Sequence, residues 1–278
     1  MDRITVQTIK NFENHLVYHE KSKPTIRKYI REIERLAEFL QGNEITKARV
    51  LEYRTELRSL HKAQTVNGKL SAVNAFFSFC GLESCRVRLL KVQRQAFIDE
   101  TRELSEAEYK RLLAAAKRQG NERLYLLMLT LGGTGIRIGE LPYITVEAAR
   151  AGRTEISLKG KSRTIILQKE LRARLLQYAK TQSMESGHIF RTKSGKPVDC
   201  ANICHDMKKL CADAKVNPRK VFPHNLRHLF ARSFYAVEKN LAHLADVLGH
   251  SRIETTRIYV AVSIREHERI LRRMKLVV

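Results

Sequence analysis

The chain has 278 residues, 43% of them hydrophobic, so it is long enough and apolar enough to form one large or two medium domains, and this excludes a disordered tail protein. Lysine and arginine number 52 against 29 aspartates and glutamates, a formal net charge of +23. Such an excess favours a polyanionic partner, either nucleic acid or an acidic membrane surface.

The cysteines and the first residues of the chain indicate a protein of a reducing compartment. The five cysteines lack the spacing of a disulfide scaffold, and the first ten residues contain no apolar core for a signal peptide. The longest apolar stretch, residues 124–131, is too short to span a bilayer. We therefore expect a cytoplasmic, nucleoid-associated protein that does not enter a membrane.

The first part of the chain is predicted to be a helical domain over residues 1–92. Ser22 and Pro24 are typical of a helix start, and apolar residues recur at helical spacing after them. A second clear helix is predicted near residues 65–79. Four helices with basic faces would form a small module that lies across DNA, and its candidate DNA contacts are Arg27, Lys28, Arg31 and Lys69.

A polar segment without a clear period, residues 93–103, is predicted to be a linker, and a second domain is predicted over 104–278. Ser105 and Glu108 have the spacing of a capping box, with Leu104 and Tyr109 as a hydrophobic staple. Helix is predicted to about residue 130, followed by a glycine turn at 132–135. Residues 153–167 predict a β-hairpin with Gly160 at its turn, residues 188–190 a further short strand, and residues from about 198 helix again.

Six polar side chains in this second part could hold and attack a phosphate. Arg137 lies between a glycine-rich turn and a helix, and Lys159 lies at the tip of the predicted hairpin. His224 and Arg227 share a helix face. His250 lies in a loop after a helix stop, and Tyr259 lies on a late helix. Each alone also fits a structural role, such as a surface ion pair, a solvated lysine or a core tyrosine.

Neighbouring residues complete this pattern. Glu140 lies one helical turn after Arg137 and could brace it. Lys161 and Arg163 are near competitors of Lys159 and are candidate DNA contacts as well. His228 follows Arg227 directly, and we expect it to point away from the site.

Together these residues closely resemble the tyrosine recombinases, the phage integrase family. Gly135-Ile-Arg137-Ile-Gly-Glu140-Leu resembles the first arginine box, Leu158-Lys159-Gly160-Lys161 the hairpin lysine, His224-Asn-Leu-Arg227-His228 the second box, and Leu248-Gly-His250 through Tyr259 the final box. The N-terminal part resembles the core-binding domain, and the two-domain layout is Xer-like. After Tyr259 the chain departs from the pattern, with Val-Ala-Val where many members carry a threonine and a histidine.

The resemblance implies a mainly α fold with a small β-sheet, in which a SAM-like four-helix domain precedes an α+β catalytic domain. It implies site-specific recombination of double-stranded DNA by a tetramer, through a 3′-phosphotyrosine and without cofactor or metal. Arg137 and Arg227 would clamp the phosphate, Tyr259 would attack, Lys159 would protonate the leaving oxygen, and His224 would assist proton transfer. His250 would donate to a phosphate oxygen, and Glu140 would orient the first arginine.

Two other functions remain open from the residues alone. Residues 241–259 superficially match a helix-turn-helix, which suits a DNA-binding regulator without chemistry but leaves Arg137 and Lys159 unexplained. Type IB topoisomerases use similar residues to relax DNA.

Two further features have competing interpretations. Cys200, Cys204 and Cys211, with His205, invite a zinc site, but their spacing favours one buried helix face. Residues 264–278 form an amphipathic segment. The resemblance to the family implies that such a helix docks on a neighbouring protomer, and the alternative is that it packs on its own chain.

Overall fold

The computed structural model describes residues 3–92, 100–158, 161–192, 195–259 and 264–274. The chain forms two compact units, Met1–Arg94 and Gln95–Val278. Most of the predicted linker lies outside the described residues, so the boundaries at 92 and 104 stay predictions. Among the described residues, no helix is both long and apolar enough to cross a membrane.

The described residues of the first unit form four α-helices, as the sequence predicts. They are α1 (Val6–Tyr18), α2 (Lys23–Leu40), α3 (Lys47–Leu60) and α4 (Ala63–Phe79). Thr5 starts α1 with a reciprocal capping box, and Pro24 lies in the first turn of α2, where a missing N–H costs no hydrogen bond. Their apolar faces meet in one core that includes Phe12, Leu36 and Phe76.

Lys69 lies inside this core and not on a basic surface, which corrects its prediction as a DNA contact. Lys69 is 6% exposed, and its Nζ donates to Glu32 Oε2 at 2.7 Å. Glu32 is also buried, and Arg35 binds it from the helix surface at 3.2 Å. A buried carboxylate needs a cation beside it, and Lys69 supplies that charge from α4. By contrast, Arg27, Lys28 and Arg31 are exposed on α2.

The second unit is mostly helical and carries one small sheet. Its helices are α5 (Glu106–Arg118), α6 (Glu122–Thr134), α7 (Val146–Ala151), α8 (Lys169–Thr181), α9 (Cys200–Lys209), α10 (Cys211–Ala214), α11 (Pro223–Glu238), α12 (Leu241–Leu248), α13 (Ile253–Arg257) and α14 (Ile264–Met274). Short 3-10 helices occupy Glu100–Arg102, Ile138–Tyr143 and Pro218–Lys220. The fold class predicted from the sequence, mainly α with a small β-sheet, is confirmed.

The start of this unit shows how local signals set element ends. The capping box between Ser105 and Glu108 is present, and Leu104 is fully buried. The predicted long helix is two helices, because Gly120 turns the chain with a φ of 65°. The second continues through Gly132 to Thr134, so the predicted turn at 132–135 is confined to Gly135. Gly132 serves packing instead, since a Cβ there would lie 2.6 Å from Tyr109 Oη.

The predicted hairpin is confirmed as an antiparallel pair, β1 (Arg153–Leu158) and β2 (Lys161–Ile166). Its register pairs Leu158 with Lys161 at the turn end and Arg153 with Ile166 at the other end. The predicted strand at 188–190 is wrong. Among the described residues His188 makes only an isolated bridge to Thr145, and Arg191 makes a separate one to Pro197.

The predicted single buried face of three cysteines is also wrong. Cys200 is the first residue of α9 and exposed, Cys204 is half-buried, and Cys211 is buried in the separate helix α10. The helical period that would align them is interrupted at Leu210, between the two helices.

Candidate active site

Arg227 is the centre of the site. It lies in the first turns of α11 and is the largest fully buried side chain among the described residues, at 1% exposure. Its Nη1 donates to Gly135 O at 2.6 Å, and its Nη2 donates to Leu248 O at 2.7 Å. These bonds tie α11 to the ends of α6 and α12. Among the described residues they leave the Nε–H of the guanidinium without an acceptor, and the Tyr259 hydroxyl lies within hydrogen-bond reach of the same group.

Among the described residues, no carboxylate pairs with the buried Arg227 cation. Glu140, the buried carboxylate of the region, is bound by Arg137 and Arg163 instead. Burial, with the nearby charge of Arg137, lowers the pKa of Arg227 to about 10, so it still carries its charge at pH 7. An isolated buried charge costs several kcal/mol unless an opposite charge compensates it. The site is therefore built to receive an anion.

Arg137 supplies a second cation at the start of the 3-10 helix Ile138–Tyr143. Its Nη1 contacts Glu140 Oε1 at 3.0 Å, and its backbone N donates to Glu140 Oε2 at 2.7 Å. The side chain is 45% exposed, so the guanidinium is braced on one side and open to a ligand on the other. The brace expected from Glu140 is present in this geometry.

Arg163 is a part of this frame and not an exposed DNA contact, which corrects its prediction. Its side chain is 10% exposed, with Nη2 at 2.5 Å from Glu140 Oε2 and Nη1 donating to Val247 O at 2.6 Å. It thereby joins β2, the first arginine segment and the end of α12. Gly249 belongs to the same contact, because a Cβ there would lie 2.6 Å from Arg163 Cδ.

Removing the Arg163 side chain should destabilise the second unit. We expect Arg163→Leu to lower the free energy of unfolding by about 3 kcal/mol, because Glu140 stays buried with half of its cationic support. The control is Arg153→Leu on the exposed end of the same hairpin, which should change stability by less than about 0.5 kcal/mol. Urea unfolding measures both, and equal stability of the two variants would contradict this role.

His250 lies in the turn after α12, where Gly249 ends the helix with a φ of 64°. Its Nε2 is 2.9 Å from Arg227 Nη2, and its Nδ1 is 2.9 Å from Thr256 Oγ1. Because arginine only donates, the Nε2 must accept, so the hydrogen of the neutral ring is on Nδ1 and points to Thr256. To donate to a phosphate, as predicted, His250 must first release its bond with Arg227.

Tyr259 follows the five-residue helix α13 and points inward, with 5% exposure. Its hydroxyl is 3.3 Å from His224 Nε2, and its ring lies 5.5 Å from that of His250 at an interplanar angle of 14°. Although His224 keeps contact with solvent, partial burial and the charges of His228 and Arg227 lower its pKa to about 4. A neutral His224 at pH 7 can accept the hydroxyl proton.

His228 contacts the site, contrary to the prediction that it points away. Its ring is 4.5 Å from the Tyr259 ring and 4.9 Å from the His224 ring, at angles of 78° and 66°. The spacing itself carried the signal, because residues 224 and 228 are four apart and share a helix face.

The two histidines predict a pH dependence of stability. The pKa of His250 is also lowered to about 4, by burial and by the charge of Arg227. Both rings therefore bind protons in the unfolded state below pH 6.5 while the folded state stays unprotonated, so stability must decrease as the pH falls from about 6.5. The carboxylates with lowered pKa, such as Glu103, start from 4.5 and add to this loss only below that pH.

We expect the melting temperature to fall between pH 6.5 and 4.5, with a shallower slope in the double variant His224→Gln/His250→Gln. Thermal unfolding at constant ionic strength measures this. The pKa of His15 in the first unit is also lowered, so the melting temperature of both the wild type and the double variant keeps some dependence on pH. An identical slope in wild type and double variant would contradict the expectation.

Lys159 lies outside the described residues, as does the side chain of Lys161, so their roles stay predictions. β1 ends at Leu158 and β2 begins at Lys161, on the element that Arg163 ties to the site. A cleft of about 990 Å³ opens there, lined by Arg137, Arg163, His250 and Ser251 among others. The structure thus brings together Arg137, Glu140, Arg227, His250, His224 and Tyr259.

Comparison with known proteins shows which family the chain belongs to. The profile of the phage integrase family matches residues 102–266, and that of the phage integrase N-terminal SAM-like domain matches residues 9–84. Tyrosine recombinase XerA of Thermococcus kodakarensis is 28% identical over 98% of this chain and 96% of its own length. The TnP I resolvase of Bacillus thuringiensis is 24% identical over 90% and 93% of the two chains.

Solved structures share the fold. The crystal structure of XerA recombinase matches with a TM-score of 0.54 and 23% identity, covering 98% of this chain and 99% of that one. A lambda integrase tetramer bound to a Holliday junction matches with a TM-score of 0.73 and 17% identity, covering 91% and 76%. With the family profile matched over more than half of its residues, the chain belongs to the phage integrase family, the tyrosine recombinases.

Proposed function

We propose that this tyrosine recombinase cleaves and rejoins double-stranded DNA at a specific site with Tyr259 as its nucleophile. The observation that carries the proposal is the Tyr259 hydroxyl, 3.3 Å from the neutral ring of His224, beside a buried arginine that lacks a carboxylate. A nucleophile paired with a base, next to a site for an anion, is the arrangement that phosphodiester transesterification requires.

The cleavage step forms a bond between Tyr259 Oη and the phosphorus and breaks the bond between the phosphorus and the 5′ oxygen. His224 accepts the hydroxyl proton, and Lys159 donates a proton to the leaving 5′ oxygen. The product is a 3′-phosphotyrosine and a free 5′-hydroxyl. The phosphodiester bond energy is retained in the protein–DNA link, so a 5′-hydroxyl from a partner strand reverses the same step and completes recombination.

The two arginines stabilise the transition state. Negative charge grows on the nonbridging phosphate oxygens during attack, and preorganised cations placed there lower the barrier. Arg227 is held by Gly135 O and Leu248 O and so cannot rotate freely, while Arg137 is braced by Glu140. Arginine suits this position because its planar fork matches two phosphate oxygens and keeps its charge.

Binding is proposed to involve both units. The net charge of +23 favours DNA, and exposed Arg27, Lys28 and Arg31 on α2 are candidate backbone contacts. The solved relatives include lambda integrase as a tetramer on a Holliday junction and XerH bound to its difH substrate. We propose that this chain also forms a synaptic tetramer on DNA. In it α14 docks on a neighbouring protomer, since Leu271 and Met274 of α14 are about half exposed.

We also propose a cytoplasmic, nucleoid-associated location and a boundary between the two domains at residues 93–103.

A selection for covalent adducts tests this function and finds the DNA sequence of the site in the same experiment. The full protein is incubated with a library of duplexes that carry a randomised core and a nick, so that cleavage releases a short strand and traps the adduct. Complexes that survive denaturant are isolated and sequenced. We expect a single enriched sequence whose 3′ phosphate is linked to the protein, and exchange of strands between two intact copies of it.

Each alternative gives another outcome. Enrichment by native binding without any adduct would favour a regulator, and adducts that relax supercoils without strand exchange would favour topoisomerase activity. The structure disfavours a helix-turn-helix reader at 241–259, because its second helix has five residues and the tyrosine that follows points inward. The family match likewise favours recombination.

A further inference from the structure

Glu103 is a half-buried carboxylate that has no role in the reaction proposed above. It lies between the 3-10 helix Glu100–Arg102 and the start of α5, and its side chain is 14% exposed. His228 Nδ1 contacts its Oε1 at 3.1 Å, and Arg232 Nη1 its Oε2 at 3.2 Å. α11 also holds the backbone on either side, since Arg232 Nη2 donates to Leu104 O at 2.6 Å and Asn225 Nδ2 donates to Arg102 O at 2.8 Å.

The contact with Glu103 sets the orientation of the His228 ring. A carboxylate only accepts, so Nδ1 of His228 carries the hydrogen and the ring is fixed about its terminal torsion. The same ring packs on Tyr259 edge to face, at 4.5 Å and 78°. Its neighbour one turn earlier is His224, at 4.9 Å. Both partners of the proposed proton transfer therefore contact one ring that Glu103 orients.

Tyr259 needs such support because its own backbone provides little. The helix before it has five residues, and its backbone N donates to Thr256 O at 3.0 Å in a final turn. Its ring packs in a small apolar cluster with Ala231, Leu244 and Leu248. Two imidazoles contact it as well, His250 in parallel and His228 edge to face. His250 is already bonded to Arg227 and Thr256, and His228 is the second ring that fixes the orientation of the Tyr259 ring.

We propose that Glu103 and His228 form a positioning pair that holds the ring of Tyr259 in line for attack. The inference rests on the proposed role of Tyr259 and adds two residues to it. A histidine that only filled space would not need a half-buried carboxylate, and even partial burial of one has a cost. Burial alone would raise the pKa of Glu103, but the hydrogen bond from His228 and the charge of Arg232 bring it below its usual value, so Glu103 is ionised at pH 7.

The test measures single-turnover cleavage of the selected nicked duplex at saturating protein, with DNA affinity measured separately. Glu103→Ala and His228→Phe should each slow cleavage by about 10- to 100-fold, as expected when a reacting group is misplaced by a fraction of an ångström, with affinity changed less than about threefold. Glu103→Gln keeps the acceptor for His228 and should recover most of the rate. The double variant should be no slower than either single variant, because the two residues act as a unit.

His228→Phe separates positioning from packing, because it preserves an aromatic ring against Tyr259 and loses only the bond to Glu103. Wild-type cleavage by this variant would overturn the proposal. The matched control is Glu238→Ala, which removes the carboxylate partner of His243 in an exposed pair and should leave cleavage unchanged. Melting temperatures show whether each variant folds. If Glu103→Ala does not fold, Glu103→Gln and His228→Phe still test the proposal, because both retain the shape of the site.

A substrate with sulfur in place of the bridging 5′ oxygen completes the test. A thiolate leaves without a proton, so this substrate bypasses the general acid but still needs a placed nucleophile. The Glu103 and His228 variants should stay slow on it, and recovery to the wild-type rate would overturn the proposal. If wild-type protein forms no adduct with any duplex, the proposed function itself fails, and that result is distinct from equal rates in wild type and variants.

Discussion

Tyr259→Phe is expected to abolish the covalent protein–DNA adduct while DNA binding is retained. The substitution removes one oxygen, and loss of a nucleophile lowers the rate on the order of 10⁴-fold or more. The phenyl ring can keep its contacts with His228 at 4.5 Å and His250 at 5.5 Å, so the surroundings need not change. The hydroxyl has two partners, the solvent-exposed His224 at 3.3 Å and the Arg227 guanidinium, so we expect stability to change by about 1 kcal/mol.

The measurement is a denaturing gel of adducts on the nicked duplex, beside a native binding assay. Tyr235→Phe is the matched control, because Tyr235 packs against the same small cluster as Tyr259 but takes no part in the proposed reaction. It should form adducts at the wild-type rate. An adduct formed by Tyr259→Phe at an undiminished rate would assign the nucleophile to another residue.

Arg227→Lys should have the second large effect, and it should affect both cleavage and stability. We expect cleavage to fall about 10²- to 10³-fold, since a lysine cannot stabilise two phosphate oxygens with a fixed fork. A single ammonium also cannot replace the bonds to Gly135 O, Leu248 O and His250 together. Each buried acceptor left without a donor costs about 1–3 kcal/mol, so the melting temperature should fall as well.

Arg137→Lys provides the comparison that separates these two effects. Arg137 is 45% exposed and its side chain pairs with Glu140, so its replacement should reduce cleavage by a similar factor with little loss of stability. Adduct rates and urea unfolding measure the two quantities on the same preparations. If Arg227→Lys were as stable as Arg137→Lys, the structural role of Arg227 in joining α6, α11 and α12 would be wrong.

Local rules predicted much of the fold correctly. The capping box at Ser105 depends on residues three apart in sequence, and the hairpin at 153–167 depends on β-prone residues around a glycine. Both are decided by near neighbours, so they are visible in the chain. The strand predicted at 188–190 was wrong because a strand needs a partner of sufficient length, and in the described part of the chain His188 forms an isolated bridge with Thr145 and no ladder.

The functions of individual charged residues were much harder to predict. Lys69 and Arg163 look like surface cations in the sequence. Lys69 is buried against Glu32, and the side chain of Arg163 is 10% exposed against Glu140. Their burial depends on which faces of the helices and the hairpin meet. Glu103 gave no signal, since its partners are 125 and 129 positions away in the chain.

The amino-acid sequence by itself determined the helical class, the hairpin and the ordered set of arginines, histidines and tyrosine that indicates the family. Those properties follow from short-range spacing and from residue chemistry. Only the tertiary structure decided that Arg227 is buried without a carboxylate, that His250 accepts from it, and that His228 contacts Tyr259. The reason is physical: burial, hydrogen-bond direction and ring contacts depend on segments that packing brings together, and a linear chain does not contain those distances.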